Sequence, residues 1–354
     1  MPPNEPYYAD YLQLAKILQA QETESGRQGR PAHDEMLFIV IHQAYELWFK
    51  QLLYEVDSVC RIMEKPSLQD NSPELQTVVH RLSRCATILK VMVHQIDIME
   101  TMTPMDFLDF RDLLRPASGF QSWQFKALEA RLGLKYAQRE GQSYYISQLN
   151  PMDIERIRSA EKEMDLLEWV ERWLSRMPFF DEPANWAGFD SPPDGPGVHP
   201  FWAEYRRRYE SSLAEPEQAN LASFDATFFP ETGQDAGAGK GRSLSAPACR
   251  AALFIMLYRG YPVLQLPFQL LHQLMEIDEQ LGTWRFRHLS MVQRTIGTRI
   301  GTGGSSGGSY LQAALQKHHI FKEIAALNSF LIERSRLPIL SPAMERRLGF
   351  LHEA

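Results

Sequence analysis

Two of the ten histidines lie in strongly apolar helical surroundings. His42 follows Phe38 by four residues, so both side chains share one helical face. His288 has Trp284 four residues before it and Met291 three residues after it, which gives it an apolar flank. Each imidazole, taken alone, is more often a core residue with one hydrogen bond than a ligand. A single buried histidine makes a poor closed zinc site, but one imidazole suffices to hold a haem iron.

Phe107 and Arg111 also share one face of a predicted helix. An arginine beside an aromatic ring can bind a carboxylate through two parallel hydrogen bonds while the ring packs against the rest of the ligand. The alternative is an exposed arginine that pairs with Asp109 or Asp112. The spacing alone leaves both interpretations open.

Glycine and serine dominate residues 297–308. Such a composition is usually a flexible connector. Thr302 lies among these glycines, however, and a backbone without side chains can approach a ligand closely and exclude water from it. The other glycine-rich stretch, 231–242, lacks the spacing of a phosphate-binding loop and follows no predicted strand.

Helical periodicity dominates the first 120 residues. Apolar residues at intervals of three and four predict a long helix over 35–63. Ser72, with Pro73 behind it, is typical of a helix start and predicts a helix to about Met102. Thr103 and Asp106 have the spacing of a capping box, and the short helix that they begin is expected to end before Pro116.

The second half of the chain is predicted to be helical over 150–176, 247–259 and 267–296, with two further helical runs at the end. Residues 178–200 are predicted to form an extended loop. Alternating β-branched residues are nearly absent. We therefore predict an all-α fold, a single helical-bundle domain over 1–354 with a variable helical insertion at about 135–245.

Composition excludes several classes of function. A net charge of −7 argues against a nucleic-acid or membrane-surface binder. No apolar run is long enough to span a bilayer, and the first residues lack the pattern of a signal peptide, so a cytoplasmic location is expected. Cys60, Cys85 and Cys249 form no CxxC pair, and Cys60 and Cys85, which lie in apolar helical patterns, are predicted to be buried free thiols.

Five ordered blocks of the sequence resemble the tryptophan 2,3-dioxygenase family. The blocks are 8–12, 33–50, 106–111, 116–122, and His288 with 301–307. The resemblance extends over most of the chain and is weakest in the predicted insertion. It implies a helical enzyme with one haem b per subunit, held between helices.

The resemblance also implies roles for the residues already singled out. His288 matches the proximal ligand of the haem iron, and His42 matches the distal histidine that accepts the indole N–H. Phe38 and Phe107 match aromatic walls of the indole pocket. Arg111 matches the residue that binds the carboxylate of the substrate.

Further positions match the family's loops and termini. Thr302, fourteen residues after the matched proximal histidine, corresponds to a hydroxyl at the ammonium and carboxylate end of the substrate. Ser118 and Gly119 match a segment at the haem edge. The N-terminal segment matches one that completes the active site of a neighbouring subunit in a homotetramer, through Tyr8, Tyr11 and Leu12.

The reaction implied by the resemblance is cleavage of the indole C2–C3 bond of L-tryptophan by dioxygen. Its product is N-formyl-L-kynurenine, the first product of the kynurenine pathway of tryptophan degradation. The main alternative is a haem monooxygenase on the same scaffold that hydroxylates tryptophan or a related aromatic amino acid. A further alternative is a helical haem- or tryptophan-binding protein without catalytic activity, such as a sensor.

Overall fold

The structure is a computed structural model and describes residues 5–139, 147–177, 179–180, 182–189, 199–230, 242–301, 312, 315 and 317–349. Within these ranges the chain forms helices, turns and loops and no β-strand, which confirms the predicted all-α fold. The α-helices are α1 (Tyr8–Tyr11), α2 (Leu14–Ile17), α3 (Glu24–Arg27), α4 (Glu35–Met63), α5 (Pro73–Met99), α6 (Pro104–Arg111), α7 (Trp123–Leu132), α8 (Pro151–Lys162), α9 (Leu166–Ser175), α10 (Pro200–Ser212), α11 (Asn220–Phe228), α12 (Ala246–Leu257), α13 (Pro262–Ile296), α14 (Lys322–Ala326) and α15 (Pro342–Leu348). Short 3-10 helices occur at Asp112–Leu114, Gly119–Gln121, Tyr136–Gln138, Pro183–Trp186, Glu215–Glu217, Leu327–Phe330 and Arg334–Arg336.

Of the three long helices, α5 packs against both α4 and α13. The bounds of α4 agree with the prediction. Its first residue, Glu35, is buried and accepts hydrogen bonds from the backbone N–H groups of Glu24 (2.7 Å) and Ser25 (3.0 Å). This carboxylate therefore fixes α3 against the beginning of α4, because the first N–H groups of α3 have no partner within that helix.

The predicted helix starts are confirmed at α5 and α6. The Ser72 hydroxyl accepts a hydrogen bond from the Leu75 N–H (3.1 Å) and begins α5. At α6 the Thr103 hydroxyl accepts from the Asp106 N–H (3.3 Å), and the Asp106 carboxylate accepts from the Thr103 N–H (2.9 Å). This capping box fixes where α6 begins and therefore which residues lie on the face that Phe107 and Arg111 share.

Two predicted helix bounds are wrong. Helix α13 begins at Pro262, not at residue 267, and Pro267 lies inside it. Pro262 is the first residue of the helix, a position that favours proline, whereas Pro267 lies within it, where proline lacks an N–H donor and its ring crowds the carbonyl one turn earlier. Residues 150–176 form two helices, not one, because Asp165 forms a capping box with Glu168 and starts α9 anew.

Residues 135–245 contribute helices α8 to α11. Buried side chains of α9, α10 and α11 belong to the same hydrophobic cluster as those of α4, α5, α12 and α13. In the predicted loop over 178–200 the described residues include a 3-10 helix, Pro183–Trp186. The division of the chain into a domain and an insertion stays a prediction from the sequence.

All three cysteines are free and buried, which confirms the prediction for Cys60 and Cys85. Burial raises the pKa of the Cys60 and Cys85 thiols to about 12 and that of Cys249 to about 11. No described helix combines the length and the apolar content that crossing a membrane requires. Among the described residues, histidines, cysteines and carboxylates form no cluster of three that could hold a metal ion.

Candidate functional site

Helix α4 presents Phe38 and His42 on one face, one turn apart. Their ring centroids are 4.1 Å apart, and His42 Nδ1 lies 2.7 Å from the Phe38 carbonyl oxygen. A carbonyl oxygen only accepts hydrogen bonds, so Nδ1 carries the proton and Nε2 keeps its lone pair. Burial is the main cause that lowers the pKa of His42, against the opposing effects of the Phe38 carbonyl and Glu46. The imidazole is therefore neutral, with one acceptor nitrogen.

Helix α6 adds a second pair of rings to this face. Phe107 stacks on Phe38 with 5.7 Å between the ring centroids, and Phe110 meets both rings edge to face at 5.4–5.6 Å. Phe110 is fully buried, whereas Phe38 and Phe107 are half-buried. The three rings thus form an apolar wall in which protein covers Phe110 completely, whereas Phe38 and Phe107 each keep part of their surface exposed.

Arg111 ends α6 and is only 5% exposed. One Nη2–H donates to the backbone carbonyl of Ile300, while Nε is buried and has no hydrogen-bond partner among the described residues. Within the described ranges no carboxylate pairs with Arg111, and Asp112 pairs instead with Arg115. The alternative of an exposed arginine paired with Asp109 or Asp112 is therefore wrong. A buried guanidinium with a free donor is suited to an anionic ligand.

His288 lies in the last third of α13. Its ring is parallel to that of Trp284, with 5.3 Å between centroids and 2° between planes. Nδ1 is buried and has no hydrogen-bond partner within the described ranges. Burial, and secondarily His42, lowers the pKa of His288 to about 4. This second imidazole is therefore also neutral near pH 7.

Helices α4 and α13 bring the two imidazoles into one neighbourhood. Met291, one turn beyond His288, packs against the apolar cluster that contains Ile41 and Phe38. The electrostatic effect of His42 on the pKa of His288 requires the same proximity. The structure thus brings together five of the predicted site residues, namely Phe38, His42, Phe107, Arg111 and His288.

Ser118 and Gly119 belong to a segment that is fixed to α4 beside this site. The Ser118 hydroxyl accepts from the Phe120 N–H at 3.3 Å. Soon after it, Gln124 donates to the backbone carbonyl (3.0 Å) and the carboxylate (2.8 Å) of Glu46, one turn beyond His42. A side chain added at Gly119 would meet no atom within 4 Å, so open space adjoins this segment.

These observations fit a haem. A haem ligand must be a neutral imidazole with a ring nitrogen whose lone pair is free, and His288 is neutral and makes no hydrogen bond among the described residues. A flat group also needs space, which exists next to Gly119. His288 could hold the iron, and Ser118 and Gly119 could lie at the edge of the porphyrin.

The N-terminal residues lie apart from these five. Tyr8 and Tyr11 are 71% and 75% exposed, and Leu12 is 37% exposed. The chain that follows them is fixed to α4, because Gln43 accepts a hydrogen bond from Gln21 (2.7 Å) and donates one to the Ala20 carbonyl (3.0 Å). Thr302 lies outside the described residues.

Several residues around the site were not identified from the sequence. Phe110 completes the wall of rings, and its position three residues after Phe107 was the available signal. Glu129 and Arg285 form a buried ion pair one turn from His288, with 2.6 Å between Oε1 and Nη2. They are 156 residues apart in the chain, and no local pattern links them.

The fold and the site define a helical protein with a pocket suited to a haem and to an aromatic ligand that carries an anionic group. Comparisons with known proteins give the family. Residues 4–331 match the family model for tryptophan 2,3-dioxygenase. Proteins named tryptophan 2,3-dioxygenase from Alteromonas mediterranea and Bdellovibrio bacteriovorus are 43% and 41% identical, over 97% of this chain and 97% and 98% of their own lengths. One from Dictyostelium discoideum is 40% identical over 97% of this chain and 88% of its own length. The chain belongs to the tryptophan 2,3-dioxygenase family.

Proposed function

We propose that this protein is a haem-dependent dioxygenase that opens the indole ring of L-tryptophan at the C2–C3 bond to give N-formyl-L-kynurenine. The observation that carries the proposal is the meeting of two neutral imidazoles, from α4 and α13, beside a buried guanidinium that has no carboxylate partner in the part of the chain that the structure describes. Membership of the family supports the same activity.

His288 holds the iron of one haem b per subunit. The imidazole is neutral, makes no competing hydrogen bond among the described residues, and is backed by the parallel ring of Trp284. When bound, the haem supplies the capacity to take up and activate dioxygen, which is otherwise inert toward an indole. Ser118 and Gly119 would lie at the edge of the bound haem.

His42 accepts the indole N–H of tryptophan. The carbonyl of Phe38 holds the proton on Nδ1 and so leaves Nε2 as an acceptor. Phe38 and Phe107 contact the faces of the indole, and Phe110 closes the wall behind them. An analogue without the N–H would leave the acceptor unpaired in a buried site, which gives specificity for tryptophan.

Arg111 binds the carboxylate of tryptophan at the other end of the pocket. Its guanidinium is already desolvated, and the Ile300 carbonyl fixes its direction through Nη2. Holding the substrate at the indole N–H and at the carboxylate orients the C2–C3 bond, which is catalysis by positioning. From the resemblance, we assign Thr302 to the ammonium and carboxylate end.

The protein acts as a homotetramer in which the N-terminal segment of one subunit completes the active site of its neighbour. Tyr8, Tyr11 and Leu12 expose apolar surface that a partner subunit would cover. Helix α4 offers a matching exposed stripe of Met36 (45%), Val40 (45%) and Leu47 (55%). A cytoplasmic location stays a prediction from the sequence.

Product mass after turnover in ¹⁸O₂ tests the reaction. Reconstituted and reduced protein is mixed with L-tryptophan under labelled dioxygen, and the products are separated and weighed. We expect formylkynurenine with two heavy oxygen atoms. One heavy atom in a hydroxylated amino acid would favour the monooxygenase, and a haem spectrum without any product would favour the non-catalytic binding protein.

A further inference from the structure

A buried ion pair joins α7 to the turn of α13 that precedes His288. Glu129 Oε1 lies 2.6 Å from Arg285 Nη2, and each side chain is only 4% exposed. The other guanidinium nitrogen of Arg285, Nη1, donates to the His318 carbonyl at 2.9 Å. Arg285 is three residues before His288, so both side chains lie toward the same side of α13.

Glu129 is held on both of its oxygen atoms. Oε2 lies 2.5 Å from Arg139 Nη1, and Arg139 Nη2 donates to the Lys126 carbonyl at 3.0 Å. Burial raises the pKa of Glu129, but the charges of Arg139 and Arg285 outweigh this effect and lower it to about 2. The carboxylate is therefore charged at any working pH and has a fixed direction.

A second contact between the same two helices lies one turn away. Phe125 is four residues before Glu129 on α7, and its ring centroid is 5.1 Å from that of Trp284. Trp284 in turn lies parallel to the ring of His288. Helix α7 thus contacts two consecutive residues of α13, Trp284 through an aromatic ring and Arg285 through a charge.

Helix α7 also continues from the segment that contains Ser118 and Gly119. Ser122 begins the helix by accepting a hydrogen bond from the Phe125 N–H at 3.3 Å. One short helix therefore connects the predicted haem-edge segment to the turn before the predicted iron ligand. A shift of α7 would change both together.

We propose that Glu129 and Arg285 are positioning residues that fix the orientation of the His288 imidazole. This inference rests on the proposed function, because it assumes that His288 holds the haem iron. Groups that do not touch a metal commonly orient the residues that do. Here the orienting contact is made through the helix, since no described residue forms a hydrogen bond with Nδ1 of His288.

The test compares E129Q in two backgrounds. In the first, His288 is intact; in the second, His288→Gly is supplied with free imidazole, which can hold the iron but is not attached to α13. The rate of haem loss to an excess of a haem-scavenging apoprotein is measured in each. We expect E129Q to accelerate haem loss about 10-fold with His288 intact, and to have little effect in the imidazole-supplied background.

A second readout is the iron–histidine stretching band in the resonance Raman spectrum of the reduced protein. We expect this band to shift or broaden in E129Q. The matched control is D57N. It neutralises the carboxylate that pairs with Arg131 of α7 (Asp57 Oδ1 to Arg131 Nε, 2.8 Å), and this ion pair does not involve α13. D57N is expected to leave both the band and the rate unchanged.

If E129Q fails to fold, R285K replaces it in the same two backgrounds. Lysine keeps the buried positive charge but lacks the second guanidinium nitrogen, so it cannot reproduce the bonds of Arg285 to both Glu129 and the His318 carbonyl. The inference is overturned if a folded variant leaves the band and the haem-loss rate unchanged, or if the rate rises equally in both backgrounds. An unaltered protein that takes up no haem would refute the proposed function instead. A variant that matches the unaltered protein in haem loss, band and tryptophan cleavage refutes only the positioning role.

Discussion

Two aromatic regions of this molecule, one at the proposed ligand pocket and one in the core, contain similar residue types but differ in how completely their side chains are buried. The pocket cluster consists of Phe38, Phe107 and Phe110 around His42, Arg111 and His288. The aromatic core consists of Phe201, Trp202, Tyr205, Phe224 and Phe228, each at most 1% exposed. In the core the rings cover one another completely, whereas in the pocket cluster Phe38 and Phe107 remain half-buried.

The two regions also differ in whether their buried polar atoms have hydrogen-bond partners. Around the aromatic core the buried tyrosine hydroxyls donate to backbone carbonyls, Tyr205 to Phe330 at 2.7 Å and Tyr258 to Pro338 at 2.7 Å. Trp202 Nε1 is an exception to this pairing. In the pocket cluster, by contrast, Arg111 Nε and His288 Nδ1 are polar atoms that no described residue pairs with. Burying such atoms without partners costs free energy. We therefore expect them to lower the stability of the unliganded protein and to pair with a bound ligand.

The largest expected effect is that of His288→Ala. Removing the only proposed bond from the protein to the iron should abolish haem retention and formation of formylkynurenine. Soret absorbance after gel filtration and product absorbance measure the two. The control is His272→Ala, an exposed histidine on the same helix, which should keep both. A fully active, haem-loaded His288→Ala protein would remove the basis of the proposed function.

Phe228→Ala should produce the next largest effect, on stability alone. Phe228 is fully buried and contacts Phe224 and Phe330 with centroid distances of 4.6 and 5.2 Å. Truncating such a ring costs about 3–5 kcal/mol of unfolding free energy. Phe107→Ala should cost clearly less stability but raise the KM for tryptophan. Equal stability losses from the two variants in urea unfolding would abolish the distinction between the regions.

Arg111→Ala should lower kcat/KM for tryptophan by about 10- to 100-fold, since a charge-assisted hydrogen bond contributes about 1.5–3 kcal/mol. Haem content should remain unchanged, because Arg111 does not hold the haem in this scheme. Steady-state kinetics and the haem spectrum measure the two quantities. Arg115→Ala, which removes an exposed partner of Asp112, is the control. An unaltered kcat/KM in Arg111→Ala would exclude its carboxylate-binding role.

Tyr205→Phe should have the smallest effect, about 1 kcal/mol of unfolding free energy at neutral pH, because one buried hydrogen bond is lost. Burial raises the pKa of Tyr205 above its ordinary value of 10. The folded protein therefore keeps a proton that the unfolded chain loses above pH 10, so stability falls as the pH rises beyond that point. Urea titrations between about pH 8 and pH 11 should show a shallower fall in stability in Tyr205→Phe. An identical fall in both proteins would contradict this account.

The elements that carry the site were accessible from local sequence signals. The capping box of Thr103 predicted α6, and regular apolar spacing predicted the bounds of α4. The predicted start of α13 at Pro267 was wrong, because the local sequence does not distinguish a proline inside a helix from one at its start. The capping box of Asp165 was an available signal for the break before α9.

What local sequence could not provide is the pairing of distant polar groups. Arg111 donates to a carbonyl 189 residues away, and Glu129 pairs with an arginine 156 residues away. Such contacts depend on how helices pack, which periodicity does not determine. The family resemblance supplied the role of Arg111 but gave no information about Glu129 or Arg285.

The three buried cysteines allow local opening of α4, α5 and α12 to be measured separately. A thiol reacts as its thiolate, so a protected group with a pKa of about 11 or 12 must await a local opening before it can be alkylated. Cys60 and Cys85 report on α4 and α5, and Cys249 reports on α12, which packs against the aromatic core. Alkylation rates at the three positions, followed by peptide mass, therefore record how often each neighbourhood opens in the native protein.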